Sequence, residues 1–287
     1  MKKSHSKTHL LFYVLITMLL ALIVWTIWGN TALMANSITL SGNQIPSEFS
    51  GFRIAQVSDL HNAEFGEGNS HLLNSLSESK PDMIAITGDL VDAQHTNIDV
   101  ALSFAEKAVQ IAPVYYVTGN HEASLSQYSE LKTGLEAAGV IVLEDKAIQL
   151  EHNGGIVTLM GLSDPNFTIK SNIFDEVPAM ISTKLNDLME NKVGYTILLS
   201  HRPELFDTYV SCGVDLVLSG HAHGGQFRLP LIGGLVAPNQ GFFPKYDAGL
   251  YSDGGTNMVV SRGLGNSIIP LRFNNRPEIV LVELTAD

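Results

Sequence analysis

Cysteine is almost absent: Cys212 stands alone in 287 residues. No intrachain disulfide can form, and a metal site built on several thiolates is excluded. Cationic side chains are scarce too, with 17 lysines and arginines against 29 aspartates and glutamates and a formal net charge of -12. A surface of that sign does not attract nucleic acid or anionic lipid as a whole. No nucleic-acid partner is therefore expected, and any phosphate recognition has to be local. Neither an internal repeat nor a low-complexity tract interrupts the chain. Apolar side chains are plentiful, at 45% of residues, enough over this length for the core of one large domain or two small ones.

Long uncharged runs are equally rare, and the one present lies near the N-terminus. Leu10 to Trp28 is 19 residues without a charge, behind Met1-Lys2-Lys3-Ser4-His5-Ser6-Lys7. As a helix the run is about 28 Å long, close to the ~30 Å hydrocarbon core of a bilayer. It is apolar on every face, unlike a core helix, and Trp25 and Trp28 fall where an interfacial aromatic belt would lie. Thr31-Ala32-Leu33-Met34-Ala35-Asn36 is a poor match to a cleavage site, so an uncleaved anchor is preferred over a signal peptide. The chain divides into a basic cytoplasmic tail (1–9), a transmembrane anchor (10–28), a linker with a first edge strand (29–51) and a folded domain (52–287). The N-terminal lysines put that end in the cytoplasm and the folded domain outside the cell membrane. Setting them aside makes the remainder more acidic still, and such a domain is expected to stand off an acidic bilayer.

From Arg53 onward a pattern repeats. Arg53 to Val57, Met83 to Thr87 and Val114 to Thr118 are short apolar runs. Helical periodicity lies between them, with Leu72, Leu73 and Leu76 on one face after a cap at Asn69 or Ser70, and Val100, Ala101, Phe104 and Ala108 on another. This β-α-β-α-β order predicts an α/β fold with parallel strands and covering helices. A helix over about Ser124 to Ala138 and strands near Val140, Ala147 and Gly155 are expected next, then a helical middle between Asn166 and Lys192. Tyr195 to Leu199 and Val214 to Leu218 are two more apolar runs, and strands return at Asn257 to Ser261 and Glu278 to Leu284.

Each of the five apolar runs ends in Asp, Asn or His: Ser58-Asp59-Leu60-His61, Gly88-Asp89-Leu90-Val91-Asp92, Gly119-Asn120-His121-Glu122, Ser200-His201 and Gly220-His221-Ala222-His223. Ligands of α/β sheets bind beyond the carboxyl ends of strands, where loops converge. His5, His9, His71, His95 and His152 have no such setting and are read as surface residues. A mononuclear catalytic zinc needs only three protein ligands. The set Asp59, His61, Asp89, Asn120, His201, His221 and His223 is too large for one ion but suits two divalent ions sharing a carboxylate. Mixed carboxylate, imidazole and amide ligation suits Mn, Fe or Zn, with Mn favoured here. Asp92 or Glu122 is placed to accept a hydrogen bond from an imidazole, and Arg202, Arg262 or Arg272 to bind a substrate phosphate, Arg202 foremost.

The ordered blocks Asp59-x-His61, Gly88-Asp89-x-x-Asp92, Gly119-Asn120-His121-Glu122, His201 and Gly220-His221-x-His223 resemble the calcineurin-like metallophosphoesterase superfamily. The likeness runs over roughly 52–283 and is thin between 143 and 195. Leu271-Arg272-Phe273-Asn274-Asn275-Arg276-Pro277-Glu278 is similar to the end of a membrane-anchored bacterial branch related to UDP-2,3-diacylglucosamine pyrophosphatases and small phosphodiesterases. The resemblance implies a four-layer α/β/β/α sandwich with two central mixed sheets. It implies that Asp59, His61, Asp89 and His223 hold one metal and Asp89, Asn120, His201 and His221 the other. It also implies that His121 is a protonated imidazole that stabilises the phosphate and donates to the leaving oxygen, beside the acids Asp92 and Glu122 read above as supports for an imidazole. The expected reaction is hydrolysis of a phosphodiester or pyrophosphate, by in-line attack of a hydroxide bridging the ions. A lipid-linked substrate such as a UDP-diacylglucosamine-like molecule is one candidate. A non-catalytic scaffold of the same fold, a broad phosphomonoesterase and a mononuclear zinc hydrolase are the alternatives.

Overall fold

A computed structural model describes residues 4–169, 176–266 and 270–287, with side chains from residue 9 onward. Lys2 and Lys3, and the side chains of His5 and Lys7, lie outside the described residues, as does part of the segment between Asn166 and Lys192.

The chain opens with α1 (Ser4–Thr31), which passes directly into β1 (Met34–Ser41). The alternating unit follows as β2 (Arg53–Val57), α2 (Ser70–Ser79), β3 (Met83–Thr87), α3 (Ile98–Ala108) and β4 (Val114–Val117). The helix expected from Ser124 is broken into α4 (Asn120–Ser124), which starts on the strand end itself, and α5 (Tyr128–Ala138) before the short β5 (Ile141–Val142). Next come β6 (Lys146–His152), β7 (Gly155–Gly161), α6 (Glu176–Met189), β8 (Thr196–Leu199), α7 (Phe206–Ser211) and β9 (Leu216–Ser219). Two tight hairpins, β10 (Arg228–Leu229) with β11 (Gly233–Gly234) and β12 (Val236–Ala237) with β13 (Gly241–Phe242), precede β14 (Gly249–Asp253), β15 (Thr256–Val260) and β16 (Glu278–Thr285).

Two six-stranded mixed sheets result, ordered β1-β16-β2-β3-β4-β5 and β14-β15-β9-β8-β7-β6. They face each other across Ile54, Met83, Val117, Leu159, Ile197, Leu218 and Val282. Helices cover both outer faces: Leu72, Leu76, Phe104, Leu131 and Leu135 pack on the first sheet, and Ile181, Leu185, Phe206 and Tyr209 on the second. This is the four-layer α/β/β/α order. Because the central strands are buried on both faces, they read as continuous apolar runs rather than alternating ones.

Caps explain some boundaries and correct one. Asn97 caps α3 by accepting from Asp99 N at 3.2 Å. Asn69 does not cap α2; its Oδ1 accepts from Phe65 N at 2.9 Å and closes the preceding loop. His152 is no free surface residue either, its ring lying 5.5 Å from Phe49 and 5.0 Å from Phe52.

Within α1, His9–Thr31 has a mean hydropathy of 2.6 and is unburied, the one helix among the described residues long and apolar enough to cross a membrane. Its end is tied to the sheets. Asn30 Nδ2 donates to Arg272 O at 2.9 Å, and Arg272 N returns a bond to Asn30 Oδ1 at 2.7 Å. Arg276 donates to Ala32 O and Leu33 O and stacks 4.5 Å over the Trp28 ring. β1 then runs parallel to β16, with Met34 opposite Glu278. β16 is antiparallel to β2, pairing Val280 with Gln56. The carboxyl ends of β2 and its parallel neighbours β3 and β4 therefore lie at the end of the sheet where α1 departs.

β1 and the turn after it also bury Leu40, Ile45 and Phe49. A chain shortened to begin at Ala32 is expected to fold. One shortened to begin at Phe52 bares β16 and empties those three side chains from the core, each loss worth about 2–5 kcal/mol. Its melting temperature is expected to fall by roughly 10 °C or more; equal melting curves for the two chains would refute this.

Candidate metal centre

The strand ends converge through an unusual backbone. Asp59, His61, Asp89, His221 and His223 have φ of 52°, 47°, 51°, 66° and 47°. This left-handed region costs a non-glycine residue on the order of 1 kcal/mol or more, and such strain concentrates at functional sites. Hydrogen bonds hold the turns: Asp59 N to Gly88 O at 3.0 Å, His61 N to Asp89 O at 3.1 Å and Gly265 N to Asp59 O at 2.6 Å. The two carboxylates also bind across strands, His121 N donating to Asp89 Oδ1 at 2.9 Å and His221 N to Asp59 Oδ1 at 3.1 Å. Gly220 allows this closeness, since a Cβ there would overlap Ser58 Oγ and Asp59 Oδ2.

Two buried groups form, Asp59 with His61 and His223, and Asp89 with His201 and His221; in each, one ligand atom per residue lies within 4.8 Å of the others. The neighbouring histidines 221 and 223 thus fall into different groups. Asp89 Oδ2 stands between them, 3.2 Å from His201 Nε2 and 3.6 Å from His61 Nε2. Asn120 Oδ1 is 3.2 Å from His201 Nε2, on the second group. Imidazole nitrogens meet in pairs at 3.2 Å, His61 Nε2 with His223 Nε2 and His201 Nε2 with His221 Nδ1. Lone pairs at that distance repel unless a proton or a cation lies among them. The buried oxygen and nitrogen donors fit two divalent ions.

Electrostatics favour the ligand form of most of the imidazoles. Burial lowers His61 to about 4 against the pull of Asp89. Burial and then the Arg202 guanidinium hold His221 well below the ordinary histidine range, and burial, His61 and Arg272 do the same for His223. His201 is the exception: burial works downward, but Asp89 and Asp59 raise it to about 10. For Asp89, burial works upward and is outweighed by His201 and His61, which hold it well below the usual carboxylate range. Burial, with Asp89 nearby, raises Asp59 to about 6. Without metal, the deepest pair is thus a protonated His201 on an ionised Asp89, and metal uptake has to displace that proton.

His121 is half-buried beside both groups, its ring edge-on to His61 with centroids 4.5 Å apart. Ala93 N donates to its Nδ1 at 3.0 Å, which leaves the hydrogen of a neutral ring on Nε2. Asp92 does not fix that tautomer. Its Oδ1 is 3.9 Å from His121 Nδ1, too long for a hydrogen bond, and accepts instead from Gln94 N and His95 N at 2.7 and 3.1 Å. Glu122 reaches no imidazole either. Wholly buried, it accepts from the backbone amides of Gly119, Asp89, Leu90 and Val91, joining the loops after β3 and β4.

The arginines are likewise redirected. Arg202 Nε and Nη2 bind the two oxygens of Asp164 at 2.5 and 2.9 Å, and Nη1 lies 3.4 Å from Glu204 and 3.1 Å from His221 Nε2. No fork is left for a phosphate; Arg202 sits behind His221. Arg272 is spent on Arg262 O, Gly265 O and Asn266 Oδ1, with Nη2 3.4 Å from His223 Nδ1. Arg262 stays partly exposed, 3.6 Å from Glu278. Sequence reading missed Asp164, three residues past β7 at a sixth strand end, and Asn275, whose amide ties His223 O to Gln226 O at 2.7 and 3.2 Å. The signal for Asp164 was its place after an apolar run, before Pro165.

Arg202→Ala would strand the buried Asp164 carboxylate, at about 3–5 kcal/mol. The expected result is a melting temperature roughly 6–15 °C lower. A raised KM at unchanged melting temperature, read by calorimetry and kinetics together, would restore a substrate role.

Residues 52–225 match the calcineurin-like phosphoesterase family. YkuE of Bacillus subtilis, an uncharacterized metallophosphoesterase, is 30% identical over 251 residues, 86% of this chain and 83% of that protein. The phosphodiesterase YaeI of Escherichia coli is 29% identical over 243 residues, 81% of this chain and 82% of its own. Among solved structures, TT1561 of Thermus thermophilus shares the fold with a TM-score of 0.52 at 15% identity, over 75% of this chain and 91% of that one. By that family match and by its strand-end residues, the chain belongs to the calcineurin-like phosphoesterase family of phosphoric ester hydrolases.

Proposed function

We propose that the protein is a membrane-anchored, two-metal hydrolase of phosphodiesters or pyrophosphates, with lipid-linked molecules of the UDP-diacylglucosamine type among its candidate substrates. The observation that carries this reading is the pair of buried ligand groups with Asp89 between them. In it, Asp59, His61, Asp89 and His223 hold one ion and Asp89, Asn120, His201 and His221 the other, Mn²⁺ being favoured. When bound, the ions supply an activated water and neutralise charge on the phosphoryl group. The chain's own residues do the rest. Glu122 locks the loops that carry Asp89 and Asn120. His121, held through Nδ1 by Ala93 N, presents Nε2–H to the cavity and donates a hydrogen bond from it to a phosphoryl or leaving oxygen; proton transfer as a general acid requires the doubly protonated ring, in which Nδ1 no longer accepts from Ala93 N. The diester preference rests on the name of the YaeI relative.

α1 is the anchor in this reading, with its N-terminal end in the cytoplasm and the catalytic domain outside. A lipid-linked pyrophosphate, a cell-wall phosphodiester or a small external phosphoester suits that side. Protease added to intact cells is expected to cut the domain; full protection beside a cleaved outer control would reverse the topology.

Full-length protein with Mn²⁺ is expected to cleave diester or pyrophosphate faster than monoester. Asp89→Asn or His121→Ala should lower kcat by about 10²-fold or more. Near-normal turnover in either variant would sink the assignment. Chelation should also destabilise the protein, by about 2.7 kcal/mol if the metal had been at a hundredfold excess over its dissociation constant.

A further inference from the structure

Beyond α1, large apolar side chains are crowded into the open at one place. On the two tight hairpins Leu231 is fully exposed, Phe242 80%, Phe243 66% and Ile232 60%, with Leu229 and Leu271 beside them. Ile141, Ile156, Val193 and Leu250, elsewhere, reach only 37–44%. Leu231 and Phe243 have φ of 67° and 55°, left-handed backbone that favours neither side chain. Large apolar side chains held in the open by strained turns on two successive hairpins mark an interaction site.

Its position names the partner. Arg228 N donates to Phe273 O at 3.0 Å and Gln226 Nε2 to Leu271 O at 2.7 Å, while the backbone of Arg272, between them, is doubly bonded to Asn30 at the end of α1. The hairpins thus stand two hydrogen-bonded steps from the apolar helix and follow the 223 ligand directly in sequence. The face is held together by local pairing rather than by net charge. Over 226–248 and 270–278 four cations stand against Asp247 and Glu278 in sequence, but Arg272 and Glu278 are buried, Arg228 is paired with Asp247 and Lys245 with Asp207, and Arg276 binds the carbonyls at the end of α1. An acidic domain expected to stand off a bilayer thus carries an apolar face beside its anchor, with the cations near it paired or buried.

We propose that this face docks on the bilayer that α1 enters, so that the metal centre opens at the lipid–water interface and takes amphiphilic phosphoesters whose phosphate lies there. The proposal rests on α1 being a membrane anchor and on the hydrolase reading above. Burying Leu231, Ile232, Phe242 and Phe243 in the interface removes their apolar surface from water. It also brings an interfacial phosphate to the strand ends.

The test uses full-length Cys212→Ser protein in phosphatidylcholine vesicles, with and without phosphatidylglycerol. A polarity-sensitive dye is placed at Leu231→Cys or, as control, at Asn43→Cys beyond the far end of β1, roughly 25 Å away. Lipid-borne quencher is expected to quench the dye at 231 several-fold more than at 43. Equal quenching would overturn the proposal, whatever the activity. In the combined variant Leu231→Glu, Phe242→Glu, Phe243→Glu, hydrolysis of vesicle-embedded hexadecyl p-nitrophenyl phosphate should fall about tenfold or more, as lost burial of three large side chains requires. Hydrolysis of water-soluble bis(p-nitrophenyl) phosphate should stay within about twofold. Equal loss on both substrates would also overturn it. Wild-type protein that fails to float with vesicles would remove the anchor, and docking with it. Wild-type protein that floats but cleaves neither ester would fail the hydrolase reading alone, leaving the quenching result to decide docking.

Discussion

Two carboxylates and four imidazoles share one buried volume, and much of the chain serves to keep them there. Water would screen such groups; the interior does not, so each has to be balanced by a partner at short range. Asp89 is balanced by His201, and Asp59 by the backbone amide of His221 and nearby imidazoles. The geometry for this requires left-handed backbone at five of these residues. Together they cost roughly 5 kcal/mol or more, comparable with the whole net stability of many domains. A three-part core spread over four layers can carry that load. A single small core could not.

Charge around this volume is arranged in shells of opposite sign. Arg202 and Arg272 lie behind His221 and His223, each buried, and disfavour protonation of the imidazole they face. Asp164 in turn holds Arg202, and backbone carbonyls hold Arg272. Neutral nitrogens are what a divalent ion requires, so the guanidiniums favour the form of each imidazole that is able to ligate. Glu122 does for backbone what the arginines do for side chains, gathering amides from two loops on one carboxylate.

The fold and the gathering of the strand-end carboxylates and imidazoles in one place were largely legible in the sequence because both follow from short-range pattern. Apolar runs such as Met83 to Thr87 predict buried strands, and the polar residues after them predict where the strands open. The arginines were misread because a guanidinium's partner is a matter of three dimensions. Arg202 and Asp164 are 38 positions apart, and Asp164 falls in the stretch of thin resemblance. Asp92 and Glu122 failed for a related reason: backbone amides compete for a carboxylate, and sequence does not display them. The break after Ser124 was hidden because neither glycine nor proline marks it; Leu125 interrupts the helix with an extended backbone, φ −86° and ψ 120°. Exposure of Leu231 and Phe242 could not be inferred, since apolar residues in a Gly- and Pro-rich loop read equally well as packed ones.

The pairing of β1 with β16 sets an order of assembly. β1 is made early, immediately after the helix, yet its strand partner begins 244 positions later, Met34 lying opposite Glu278. Until β16 arrives, β1 is an unpaired strand, open to association with other chains. Closing so long a loop comes late and slowly, because contacts distant in sequence are entropically expensive to bring together. The same closure seats Asn275 on the carbonyl of His223 and Arg272 beside its ring. Closure of the first sheet and the placing of Asn275 and Arg272 against His223 thus depend on the same strand, and a polypeptide cut short before β16 would be left with an open first sheet.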